Sequence, residues 1–216
     1  MNIVIPTWNA AAVLPATLVS VAEAGAGILV ADAHSPDGTA EIARRLGATV
    51  IQAPRGRGAQ LAAGGAAANQ EWLLFLHADT RLEAGWFATA RRFMQGPPAA
   101  AHFAFVLDDP TSAARRMERM VAWRCRTFGL PYGDQGLLIH RTLYDAIGGF
   151  HAMPLMEDVD LIRRLRPIRP TALPIRAVTS AARWRGRGFH SRSARNLSIL
   201  GLYFAGVPPR WLARLY

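Results

Sequence analysis

The tripeptide His77-Ala78-Asp79 follows directly on the apolar run Trp72-Leu73-Leu74-Phe75-Leu76. A run of that length fits one buried strand and is far too short for a membrane span. In open α/β sheets, ligands bind just outside the carboxyl ends of strands. Asp79 therefore stands where chemistry is expected, with His77 one pleat away on the same side. Three further features occupy comparable junctions: Asn9, the stretch from Asp32 to Asp37, and Glu157-Asp158-Val159-Asp160. Each alone has an ordinary reading. Turns favour Asp, Asp32 and Asp37 can cap a helix, and Glu157-Asp158 can open one at the positive end of its dipole. Gathered together, such carboxylates repel unless a cation, a proton or a ligand donor compensates. Asp79 with a nearby His suits Mg²⁺ or Mn²⁺, and such an ion among arginines suits a diphosphate.

Two basic segments extend this picture. In Arg55-Gly56-Arg57-Gly58 the glycines let backbone approach an anion at a helix start, the alternative being a plain surface loop. It is neither a Walker nor a Rossmann fingerprint. The cluster from Arg183 through Trp184 to His190 mixes arginines with aromatics. It reads as a lid over a diphosphate, a contact with membrane phosphates, a nucleic-acid patch or a solvated loop. Gly133-Asp134-Gln135-Gly136 is a tight turn whose polar pair faces a ligand or serves the turn alone.

The elements that must position these groups follow from periodicity. Short apolar runs at 3–6, 27–32, 48–52 and 72–76 alternate with helical stretches at 11–23, 39–46 and 57–69. That alternation implies a parallel sheet with right-handed crossovers. A helix is expected at 83–94, and Gly96-Pro97-Pro98 then separates a less regular second half, with helices expected at 111–128, 141–147, 159–165, 193–204 and 209–215, and strands at 101–107 and 136–139.

Bulk properties agree with one well-buried domain of 216 residues, about half of them hydrophobic. The net charge is +10, and every basic residue other than His is Arg. This suits bidentate binding of phosphate or carboxylate, and equally a GC-rich codon bias. It is compatible with nucleic acid, an anionic membrane surface or an anionic small substrate. The lone cysteine, Cys125, excludes an intrachain disulfide, so a reducing, cytoplasmic setting is the simplest expectation. The first residues do not read as a signal peptide, and no stretch reaches the roughly 20 apolar residues of a spanning helix.

At these motifs the chain resembles the family-2 glycosyltransferases of the GT-A fold. Val4-Ile5-Pro6-Thr7-Trp8-Asn9 is similar to the family's opening strand and turn. Ala31-Asp32-Ala33-His34-Ser35-Pro36-Asp37-Gly38-Thr39 is similar to its nucleotide loop, His77-Ala78-Asp79 stands at its Asp-x-Asp, and Glu157-Asp158-Val159-Asp160-Leu161 resembles its EDxDL segment. Residues 132–136 and 154–158 further resemble a compact bacterial subgroup labelled arsenosugar-biosynthesis glycosyltransferase.

The resemblance implies a single α/β domain of GT-A type, a mixed, mainly parallel sheet flanked by helices. Residues 1–95 would bind the nucleotide sugar, and 96–216 the acceptor. Pro6 and Thr7 would line a base pocket beside Asn9, Asp32 would accept from the base, and Asp37 would steady the loop. Asp79 would hold Mn²⁺ or Mg²⁺ bridging the phosphates, with His77 or His190 as further ligands. Asp158 would be the general base, Glu157 and Asp160 would support its position or touch the acceptor, and Asp134 and Gln135 would face the acceptor or the donor sugar. The donor would be a UDP- or GDP-linked sugar and the acceptor a small molecule or a lipid-linked hydroxyl. Peripheral membrane contact and a homodimer through 197–216 are compatible with this; nucleic acid is not expected. His77 in place of the first acid, and Ala33 and His34 in the loop, depart from the family pattern. The competing readings are a nucleotidyltransferase, which would want a longer basic Gly-rich loop than Pro6-Thr7-Trp8-Asn9, and a non-catalytic basic binding module.

Overall fold

The computed structural model describes residues 1–22, 25–182 and 189–215, with the backbone alone for 189–192. Its first half builds strands β1 (Asn2–Thr7), β2 (Gly27–Asp32), β3 (Thr49–Gln52) and β4 (Trp72–Phe75) in parallel register. Helices α1 (Leu14–Val21), α2 (Thr39–Arg45) and α3 (Arg57–Ala67) are the crossovers. β1 and β4 are buried throughout, which is why both read as unbroken apolar runs rather than alternating ones.

The Gly/Ala richness of α3 has a packing cause. A Cβ on Gly64 would lie 2.2 Å from Cγ1 of Val4, and one on Gly65 would lie 2.3 Å from the Tyr144 hydroxyl. One on Gly58 would lie 2.6 Å from the carbonyls of His151 and Met153. The helix therefore presses against β1 on one side and against the loop before the Glu157 segment on another. The Arg57 end is drawn close to the second half of the chain.

That second half adds β5 (Thr80–Leu82), α4 (Trp86–Met94), β6 (Ala100–Leu107) and α5 (Ser112–Phe128). A 3₁₀ turn at Gly133–Gln135, β7 (Leu137–His140), α6 (Arg141–Ala146) and α7 (Glu157–Arg164) follow. The chain closes with β8 (Thr171–Thr179), α8 (Phe189–Phe204) and α9 (Pro209–Leu215). The eight strands form one sheet in the order β3-β2-β1-β4-β7-β6-β8-β5. β7 runs antiparallel to both β4 and β6, and β5 antiparallel to β8, while β6 and β8 are parallel. The sheet is thus mixed and mainly parallel, as the GT-A reading expects.

Most expected elements form within a few residues of their anticipated ends. β5 and β8 do not follow from the sequence pattern. β8 carries Pro174, which cannot donate to a ladder. The structure accommodates it where the β6–β8 register slips, between the pairs His102–Ala172 and Ala104–Arg176. The helix expected at 159–165 starts two residues earlier, so the acidic pair at 157–158 lies in its first turn. Among the described residues no helix is long and apolar enough to cross a membrane.

Candidate functional site

Four strands end on one side of the sheet and carry the sequence-derived candidates there. At the end of β2, Asp32 is 1 % exposed. Its carboxylate accepts hydrogen bonds from the Thr7 hydroxyl at 2.9 Å, the Ser35 amide at 2.8 Å and the Ser35 hydroxyl at 2.6 Å. The Ser35 hydroxyl in turn accepts from the Asn9 amide at 3.0 Å. Asp37 accepts from the Ala11 amide and from both the amide and hydroxyl of Thr39. Slight burial works against its ionisation, but the Thr39 hydroxyl and these amides prevail and hold the carboxyl below its ordinary range. These bonds lace the loop after β1 to the loop after β2. Asn9 takes a left-handed backbone, φ 49°, to make the turn.

Above this laced floor lies a cavity lined by Pro6, Trp8, Asn9, Arg55, Gly56, Arg57, Gln60, His77, Ala78 and Asp79. Gly56, at the N-cap of α3, has φ 134°, a conformation only glycine adopts readily. The amino end of α3 and two arginines therefore border the cavity, an arrangement that attracts anions. The Arg55 guanidinium lies 4.3 Å from the Trp8 ring centroid. Gln60, 4 % exposed, donates to the carbonyls of Thr7 and Ala31 and pins α3 to both strands. Of the expected nucleotide residues, Pro6, Asn9, Arg55, Arg57, His77, Ala78 and Asp79 line this space. Thr7, Asp32 and Asp37 lie beneath or beside it and hold its walls. Both oxygens of Asp32 are already engaged, so its primary contacts are Thr7 and Ser35.

A second cleft shares Arg57, His77 and Asp79 with the first and adds Tyr132, Asp134, Met156, Asp158, Thr179, Ser180 and Asn196. Asp79 is fixed through its backbone: its carbonyl accepts from the Ser180 amide at 3.1 Å, just past the end of β8. The unforeseen strand is thus what clamps the predicted acid. Ala78 is held the same way, by the Thr17 hydroxyl at 2.7 Å. Asp158 sits in the first turn of α7, where Oδ2 accepts from the Gly133 amide at 2.9 Å and Oδ1 from the Val159 amide at 2.8 Å. Gly133 is required there, because a Cβ would come within 2.5 Å of Nε2 of His77.

The remaining acids separate by environment. Glu157 is 1 % exposed and pairs with Arg57, while its Oε2 has no hydrogen-bond partner among the described residues. Burial raises its pKa, Arg57 opposes that, and Asp158 adds to it. Asp134 also faces the cleft, with Oδ1 shielded from solvent and without a hydrogen-bond partner among the described residues. Burial pushes it from an ordinary 3.8 up to about 6; Arg124 and Arg57 resist, while Asp158 and Asp79 assist. Tyr132, beneath the Arg124 guanidinium at 3.4 Å, is pushed up to about 12 by burial, against Arg124 and with help from Asp158 and Asp134.

Two expected site residues, Gln135 and Asp160, line neither cavity, and the side chains of three others lie outside the described residues. Gln135 turns into the core instead of toward the cleft. It is 2 % exposed and joins Arg124, Cys125, the Tyr132 amide, His102 and the Phe103 carbonyl in one network. Its amide has both donors and acceptors to satisfy, which suits a buried hub. Asp160 borders neither cavity: it binds Arg164 at 2.7 Å and His151 at 3.0 Å and ties α7 to the loop before it. The helical period turns it away from Asp158. The side chains of Arg183, Trp184 and His190 lie outside the described residues. Thr179, Gln60 and Asn196 also line the two cavities and no spacing in the sequence marks them, while Tyr132 opens the 132–136 segment without a role that the sequence assigns.

The donor set near Asp79 can be tested against Mn²⁺ or Mg²⁺. No group of three His, Cys, Asp or Glu able to hold a metal occurs among the described residues. A carboxylate and an imidazole beside an anion-attracting helix end nevertheless fit an ion that takes most of its ligands from phosphate oxygens and water. This is the usual habit of Mg²⁺.

This arrangement is the GT-A architecture, with two adjoining cavities at the carboxyl edge of the sheet. A family model described as glycosyl transferase family 2 matches residues 2–155, and the chain belongs to that family. Among solved structures, a mannosyltransferase from Pyrobaculum calidifontis, in complex with GDP-Man and Mn²⁺, superposes with a TM-score of 0.71 at 19 % identity. The match covers 99 % of this chain and 68 % of that one. A fragment of S. aureus TarS gives 0.68 at 15 % identity, covering 83 % of this chain and 60 % of the fragment. Glucosyl-3-phosphoglycerate synthase from Mycobacterium tuberculosis, in complex with Mn²⁺, UDP and phosphoglyceric acid, gives 0.55 at 16 % identity, covering 79 % and 66 %. The chain thus spans about two thirds of the length of these structures. A comparison with curated proteins finds no significant sequence match.

Proposed function

We propose that the protein is an inverting glycosyltransferase that moves a hexose from a nucleotide-diphosphate donor, UDP- or GDP-linked, to an acceptor hydroxyl. The observation that carries this reading is the convergence of Asp79 and Asp158, with Arg57 between the two cavities, on one cleft. In it, residues 1–95 hold the nucleotide and residues 96–216 present the acceptor. The segments at 132–136 and 154–158 further support the compact bacterial subgroup that they resemble.

In this mechanism the nucleoside rests against Pro6, Trp8 and Asn9, on the floor held by Asp32 and Asp37. The diphosphate meets Arg55, Arg57 and the amino end of α3. His77 and Asp79 would hold Mn²⁺ or Mg²⁺, which when bound supplies charge stabilisation to the leaving diphosphate. Asp158 takes the acceptor proton as the new C–O bond forms at the anomeric carbon and the bond to the phosphate oxygen breaks. The Gly133 and Val159 amides aim its carboxylate. Glu157, paired to Arg57, fixes the geometry between donor and acceptor sides. One displacement inverts the anomeric centre.

The test is a thermal-shift panel of UDP and GDP with and without Mn²⁺, followed by turnover of variants. Ligands of the native state raise its melting temperature. Asp158→Asn is expected to keep the nucleotide shift and lose about 10²- to 10⁴-fold in turnover. Asp79→Ala should lose the Mn²⁺-dependent part of the shift. Nucleotide binding by neither base, or full turnover in Asp158→Asn, overturns the reading.

A further inference from the structure

A third cavity of about 450 Å³ opens beside the cleft, between α5 and α8. Its walls are apolar, including Phe105, Met117, Val121 and Leu200, and its rim carries large side chains left in water. Met120 is 51 % exposed, Trp123 55 %, Phe128 49 %, Leu197 55 % and Phe204 50 %. Leaving such a contiguous apolar surface in solvent is unfavourable, and on a monomer it usually marks a ligand or partner site. The core does not need these residues, since the neighbouring cluster closes around Phe105, Val121 and Cys125 without the rim.

The position of the cavity names its occupant. It shares Tyr132, Asp134 and Asn196 with the cleft that holds Asp158. Tyr132, Asp134 and Asn196 stand where the trough meets the reaction cleft, together with Arg124, whose guanidinium covers Tyr132. The other described lining residues are apolar, apart from Ser193 and Arg166. A polar head beside the base and an apolar trough leading outward is the complement of an amphiphile. At roughly 30 Å³ for a water-sized group, the volume takes a chain of about fifteen carbons.

We propose that the trough binds the apolar chain of the acceptor, so that the sugar is transferred to the headgroup hydroxyl of a single-chain lipid rather than to a free small molecule. This rests on the glycosyltransferase reading above. Binding through the chain follows from burial alone: each added methylene that enters the trough raises affinity about fourfold.

The experiment uses the whole chain and three soluble probes below their micelle concentrations: methyl, octyl and dodecyl glucoside. Calorimetric titration is expected to show no binding of the methyl glycoside. Affinity should rise on the order of a hundredfold or more from octyl to dodecyl, about fourfold for each of the added methylenes, with a negative heat-capacity change. Met120→Glu and Leu197→Glu, both on the exposed rim, are expected to abolish that rise while leaving the melting-temperature shift with nucleotide and Mn²⁺ unchanged. An intact nucleotide shift with no dependence on chain length overturns the trough proposal alone. Loss of the nucleotide shift in the parent chain overturns the glycosyltransferase reading instead. A concentration-dependent dimer in sedimentation, dissolved by either rim substitution, would mean that a second copy fills the trough and would also overturn the proposal.

Discussion

Asp134 puts the electrostatics of the cleft to a direct test. Its pKa rises from 3.8 to about 6 because burial penalises the charged carboxylate and Asp158 and Asp79 add repulsion, against the arginines. A carboxyl whose folded pKa is raised binds its proton more tightly in the native state. Stability is therefore lost as pH rises from about 4 to about 6 and stays lost above that. At about 1.4 kcal/mol per unit, the native state at pH 7 carries about 3 kcal/mol of strain from this one group. Asp134→Asn keeps the shape and removes the charge. It should leave stability unchanged near pH 3.5 and raise it by about 3 kcal/mol at pH 7, which for a domain of this size is about 6–12 °C in Tm. The assay is thermal unfolding of both proteins from pH 3.5 to 8, in the presence of a metal chelator. A difference that does not vary with pH would refute the reasoning, as would a variant less stable at pH 7. A catalytic cost in the stabilised variant would show why the strain is retained.

Arg57→Gln leaves Glu157 buried without its cation. Because Arg57 is 37 % exposed and part of its field is screened, the expected loss is about 2 kcal/mol at pH 7. The loss should shrink as pH falls and Glu157 is protonated, and Glu157→Gln in the same chain should restore most of it in urea unfolding. Gly133→Ala should drive a methyl against His77 and disturb the amide that aims Asp158, lowering kcat at least tenfold while the fold persists by circular dichroism. Gln135→Leu strips partners from Arg124 and His102 and should cost about 2–3 kcal/mol, with the nucleotide-induced shift in Tm unaltered.

The alternation of strands and helices up to β4, and the acids at the strand ends, are legible in the chain, because buried parallel strands must be unbroken apolar runs and ligand-facing loops follow them. The family is legible too, through motifs that keep their order along the chain. What the chain alone could not reveal was which polar residues face the cleft. Asp134 and Gln135 are neighbours with similar local rules, yet one turns to the cleft and the other to the core, since only the packing of α5 against the 3₁₀ turn distinguishes them. Nor could it reveal β8, whose Pro174 disguises a strand that exists because β6 and β5 offer it partners. That strand carries Thr179 and Ser180 to Asp79. Contacts between residues a hundred positions apart, such as Arg57 with Glu157, are made when the sheet and helices pack, and no local stretch of the chain encodes them.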